Sequence, residues 1–109
     1  MSSAKFINSY IEKLTKLLEK TDLEAIEKII ESIKKTVKNK SKVYVMGNGG
    51  SSATASHMAN DLGVGLRRRG LVNIDIVSLG DNSAVTSAIA NDLGFENIFY
   101  ISCRIKFRR

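Results

Sequence analysis

The sequence predicts an α/β fold in which an N-terminal helical hairpin precedes an incomplete parallel sheet of Rossmann-like, sandwich type. Three observations carry that expectation. Apolar residues recur every three or four positions through the first forty residues. A short apolar run, "VYVM", then ends in glycine, and beyond it helix-like and strand-like patterns alternate.

The first helix is set by Ile7, Tyr10, Ile11, Leu14, Leu17 and Leu18, and the second by Ile26, Ile29, Ile30, Ile33 and Val37. Each set lies along one helical face. Between them "TDLE" reads as a capping box, Thr21 accepting from the Glu24 amide while Glu24 reaches back. Residues 4–38 thus form a hairpin, and residues 1–40 a packing or oligomerisation unit ahead of a partial α/β domain over 41–109. The hairpin offers its apolar stripes only to each other. A sheet or a second copy of the chain is expected to cover them.

Val43, Tyr44, Val45 and Met46 predict a strand buried on both faces. The helical period returns from Ser52 to Leu66 through Ala55, Met58, Ala59, Leu62 and Leu66. "GLVNIDIVSL" predicts a second strand, with Val72, Ile74 and Ile76 facing one way. "GDNSAVTSAIANDLG" predicts a helix capped by Asp81 or Asn82 and ended by Gly94, and "ENIFYISC" a third strand.

With 109 residues the chain is one domain or part of one. No apolar run is long enough to span a membrane, and "MSSAKFINSYIEK" lacks the pattern of a secretory signal. A single cysteine, Cys103, allows no internal disulfide and fits a reducing cytoplasm. The formal charge of +6 is concentrated in two patches: Arg67, Arg68 and Arg69, then Arg104, Lys106, Arg108 and Arg109. Without those seven cations the chain carries −1, so a basic tail in solvent is expected before a nucleic-acid contact. No aromatic interleaving supports nucleic-acid binding.

"VMGNGGSSATASHMAND" puts a glycine-rich turn between a strand and a helix. Free backbone amides and the helix dipole suit an anion there, although such a turn also serves as a plain strand–helix corner. It is neither a Walker loop nor G-x-G-x-x-G, since Ser52 stands at the third glycine position. His57 and Asp61, four apart, share a helix face. They suit a metal, an acid/base pair or a simple surface pair. Two ligands fall short of the three that a catalytic zinc site usually draws from the protein.

"GNGGSSATASHMANDL" together with "TSAIANDLGFENIF" resembles the phosphoheptose isomerases of the sugar isomerase (SIS) domain superfamily, and the likeness runs to about Phe99. The resemblance implies interconversion of sedoheptulose 7-phosphate and a glycero-manno-heptose 7-phosphate, toward heptose units of lipopolysaccharide or capsule. It also implies a cytoplasmic homotetramer that often contains zinc. Asn48, Gly49, Gly50 and Ser51 match substrate and phosphate positions, and Asn91 and Asp92 match another substrate pair. His57 matches a metal ligand. Asp61 stands where the family has a glutamate that serves as both catalytic base and ligand. The implied chemistry is an aldose–ketose proton transfer through an enediol.

Three departures limit the likeness. Asp61 shortens the family's glutamate by about 1.5 Å. The serine/threonine-rich phosphate loop of the type S-T-S-G-N-S is missing, and so is the half that supplies a glutamine and a second histidine. The ending "YISCRIKFRR" leaves the family pattern and suggests a shifted or prematurely ended reading frame. Impaired turnover is therefore expected. A non-catalytic sugar-phosphate-binding or assembly module of the same superfamily is the alternative.

Overall fold

The computed structural model describes residues 2–107. The chain divides into two compact units, residues 1–32 and 33–109. Helix α1 (Ser3–Glu19) starts at Ser2, whose side chain accepts from the Lys5 amide at 3.3 Å. Helix α2 (Leu23–Lys38) follows a short turn. The expected capping box is displaced by one residue. Asp22, not Thr21, accepts from the amide three positions on, Ala25 N at 3.0 Å. Thr21 N instead donates to Leu18 O and closes the end of α1, while Glu24 faces Lys28. Asp and Thr are both good N-caps, so composition could not fix which of the two neighbours the turn would select.

Neither α1 nor α2 contains a buried residue. Tyr10, Leu17 and Leu18 are 61–68% exposed although they occupy the apolar stripe of α1.

In the second unit, strand β1 (Val43–Val45) pairs in parallel with β2 (Ile76–Ser78), matching Val43 with Ile76, Tyr44 with Val77 and Val45 with Ser78. Val43 N donates to Asp75 O at one end and Leu79 N to Val45 O at the other. An ion pair between Lys42 and Asp75 sits just ahead of the two strands and raises the Lys42 pKa. Both strands are shorter than expected. β1 is half-buried rather than buried on both faces, and Met46 is exposed. Of the face expected for β2, Ile74 is buried, Ile76 half-buried and Val72 exposed.

The crossover between the strands is helical but not uniform. It runs through α3 (Gly50–Ala59), a π-helical segment over Asn60–Gly65 and a last turn, α4 (Leu66–Arg68). α5 (Ser83–Leu93) follows β2, with Asn82 as its cap: the side-chain oxygen accepts from Val85 N at 3.1 Å. Gly94, at φ 98°, ends it.

The third strand is not formed. After a 3₁₀ turn at Phe95–Asn97, residues Ile98–Phe107 form helix α6. Ile98 and Ser102, four apart, are each 3% exposed, which is a helical burial period rather than an alternating one. An apolar run as short as "IFYI" carries no periodicity that separates the two. Among the described residues the core is small: Ala55, Ile74, Leu79, Ile89 and Ile98, with Ser78 and Ser102 buried as well.

Replacing Asn82 with alanine removes the α5 cap. It is expected to lower unfolding free energy by about 1 kcal/mol, measured by urea denaturation.

Candidate functional site

β1 delivers the chain into a turn at Gly47–Gly49, and α3 starts at once. Gly47 is pressed against the first turn of the helix: a Cβ there would lie 2.5 Å from the Ser51 carbonyl carbon and oxygen. Gly49, at φ 56° and ψ −124°, adopts a conformation that side-chain-bearing residues avoid, and it occupies the N-cap without any side-chain cap. Ser51 N donates to Asn48 O and Ser52 N to Gly49 O, each at 3.0 Å. The Gly49 and Gly50 amides have no acceptor among the described residues. Asn48, Gly49, Gly50 and Ser51 are all exposed, so the turn offers donors and helix dipole to solvent.

Beyond the turn, His57 Nε2 lies 3.2 Å from Asp61 Oδ2. Asn60 Nδ2 donates to the other Asp61 oxygen at 3.3 Å. The His57 and Asp61 side chains are 75% and 62% exposed. Asp61 is the second residue of the π-helical segment, where Leu66 N donates to Asp61 O. On α5, Asn91 Nδ2 donates to Asp92 Oδ1 at 2.8 Å, again in solvent. The structure therefore brings His57 to Asp61, Asn91 to Asp92, and Asn48 to Ser51. No hydrogen bond or ion pair among the described residues links one of these groups to another. No cluster of three His, Cys, Asp or Glu side chains is gathered among the described residues.

A network that the sequence reading missed lies beside the loop. Ser56 of α3 shares its hydroxyl proton between the Ser52 carbonyl, at 3.1 Å, and the Asp81 carboxylate. Its oxygen is 3.4 Å from Ser78 Oγ. Hydrogen bonds from Ser56 and then Ser78, helped by Lys106, hold the Asp81 pKa below its ordinary 3.8. Residues 22 and 25 positions apart in sequence meet here, so no local spacing announces the contact.

The basic patches divide. Arg67 and Arg68 line an open hollow of about 820 Å³ together with Asn73 and Asp75. Arg104 lies over the Tyr100 ring, 5.7 Å from its centre. Arg108 and Arg109 lie outside the described residues. No helix among the described residues is long and apolar enough to cross a membrane.

Comparisons with known proteins agree with this architecture. The SIS domain family matches residues 5–107. The phosphoheptose isomerase of Geotalea daltonii is 39% identical over 99 residues, covering 85% of this chain and 50% of that protein. The phosphoheptose isomerase of Chlorobaculum parvum is 34% identical over 93 residues, covering 83% and 44%. The structure of a phosphoheptose isomerase from Neisseria gonorrhoeae superposes with a TM-score of 0.79 at 24% identity, covering 98% of this chain and 56% of that one. The chain thus spans about half the length of the curated relatives it matches.

Because its carboxylate is favoured in the folded state, Asp81 adds stability that is present above pH 3.8 and is lost as pH falls through its lowered folded value. Thermal melts between about pH 5 and pH 3 are expected to fall more steeply for the parent chain than for Asp81→Asn.

Proposed function

Since the chain belongs to the SIS-domain family, we propose that it handles a phosphorylated sugar as a phosphoheptose isomerase does, with sedoheptulose 7-phosphate as the ketose. The observation that carries this reading is the Gly47–Gly50 turn at the start of α3, with the His57–Asp61 pair on the same helical stretch. The turn presents free amides to an anion. The pair presents an imidazole and a carboxylate to the sugar.

The roles are those that the resemblance of the two motifs implies. Asn48, Gly49, Gly50 and Ser51 hold the substrate and its phosphate, and Asn91 and Asp92 hold hydroxyls further along. Asp61 takes the proton from the carbon beside the carbonyl, giving the enediol, and His57 returns one or orients the carbonyl. The pair also fits zinc as a partial set. His57 Nε2 and Asp61 Oδ2, 3.2 Å apart, are the two donors that would hold it. Zinc so held would polarise the substrate carbonyl. Two donors are one short of a usual catalytic site, so slow turnover by this chain alone is part of the proposal.

Self-association belongs to the same reading. The family-like state is a homotetramer, and α1 and α2 offer apolar stripes with no buried residue in either. Exposed apolar surface of that extent favours a protein partner.

Two experiments test these statements. The chain is incubated with sedoheptulose 7-phosphate, with and without zinc, and aldose formation is followed. His57→Ala and Asp61→Ala are each expected to lower the rate by at least about a hundredfold. Substrate that neither binds nor turns over would sink the reading, and binding without turnover would leave a sugar-phosphate module. In sedimentation velocity at micromolar concentration the chain is expected to run larger than a monomer, with Leu17→Glu moving it toward the monomer. A monomeric parent chain would refute self-association.

A further inference from the structure

The open hollow of about 820 Å³ at the entrance of β2 has no role in the reading above. Val64, Arg67 and Arg68 line it from the crossover, and Asn73, Asp75 and Ile76 from the segment that leads into the strand. Parallel strands enter at one end of a ladder and leave at the other. The hollow lies at the entry end and the glycine turn at the exit of β1, with three residue pairs of ladder, about 10 Å, between those ends. None of Asn48–Ser51, His57, Asp61, Asn91 or Asp92 lines the hollow.

Its two arginines have no partner within the fold. Among the described residues no carboxylate pairs with either guanidinium. Cations in the last turn of a helix often serve its terminal carbonyls, but here the backbone already does so. Leu71 N donates to Leu66 O at 3.1 Å and Gly70 N to Arg67 O at 3.0 Å, with Gly70 at φ 68°. Both guanidiniums are therefore left with their donors to spend. The carboxylate in the wall, Asp75, is taken by the Lys42 ammonium, whose pKa that hydrogen bond raises, so the two charges offset each other. The Asn73 carboxamide adds an NH₂ donor.

This balance selects an anion, since a cation meets two guanidiniums that no carboxylate neutralises. An aromatic base finds nothing to stack on, because no aromatic side chain lines the hollow. Arg67 and Arg68 are neighbours on one helical turn, so their stems leave the axis about 100° apart. A single phosphoryl group bridges such diverging forks poorly. A chain of two or three reaches both, each guanidinium taking a pair of oxygens. We propose that the hollow between the crossover and the entrance of β2 is a second anion site, which takes the polyphosphate chain of a small molecule apart from the glycine turn.

The test is an amide NMR titration of the full chain with tripolyphosphate at fixed ionic strength, with inorganic phosphate and adenosine triphosphate as further probes. Tripolyphosphate is expected to give saturable shifts centred on Arg67, Arg68 and Asn73, and phosphate to bind there at least about tenfold more weakly. Adenosine triphosphate is expected to match tripolyphosphate within about threefold, because the chain is held and the base is not. Arg67→Gln with Arg68→Gln is expected to weaken tripolyphosphate at least about tenfold with the circular dichroism spectrum unchanged. Arg104→Gln with Lys106→Gln removes the same charge from α6 and is expected to cost less than about twofold. Because turnover is not read, failure here leaves the isomerase reading standing. Three results would overturn the site: no saturable shift at these residues, shifts centred on Asn48–Ser51 instead, or no greater loss from the Arg67–Arg68 change than from the α6 change. A smaller gap from phosphate would overturn the preference for a chain, and a larger one from adenosine triphosphate the claim that the base goes unread.

Discussion

Three residue pairs of parallel ladder organise the second unit. Parallel strands end at the same edge, so the β1 exit at Met46 and the β2 exit at Leu79 are forced side by side. The contact is close: a Cβ on Gly80 would lie 2.8 Å from Ser52 Oγ and 3.9 Å from Gly47 O. Two connections thus leave that edge together, one through the glycine turn into α3 and one through Gly80–Asn82 into α5. Antiparallel pairing would have put the two exits at opposite ends, and the glycine turn would have lost the neighbour that shapes it.

The small residues at the start of α3 follow from the same crowding. "GSSATAS" is a poor helix by intrinsic propensity, with a glycine and three serines among its seven residues. Its compensation is tertiary. Ala55 is buried against the sheet, and Ser56 reaches across to Ser78 and Asp81. A stretch that would not be helical alone is held by what it touches. With a core of few residues, these polar contacts specify how α3 sits on the strands.

Much of the order of elements was legible because the signals are local. The stripes of α1 and α2, the Asn82 cap, the Gly94 stop and the strand–turn–helix over 43–59 all lie in spacings of three or four residues or in single punctuating residues. What was not legible depended on distant partners. "ENIFYISC" became a helix because Ile98 and Ser102 find burial on one face, a fact outside the segment itself. The Ser56–Ser78–Asp81 network has no linear pattern. For the candidate site the sequence identified the turn and the i, i+4 pairing of His57 with Asp61. It left open whether that pair lies at the surface, where the structure has it, and gave no sign that the Asn91–Asp92 pair would bond within itself.

The π-helical segment over Asn60–Gly65 has a consequence for the residues after it. Its wider ring holds one more residue than an α-turn, so everything downstream is rotated by about 100° from the phase an unbroken helix would give. Arg67 and Arg68 reach their hollow under that rotation. Loss of one residue from the stretch would swing both guanidinium groups around the axis while His57, upstream of the widening, kept its heading. Single-residue insertions and deletions at this place are thus a way for the basic patch to change direction without disturbing the imidazole.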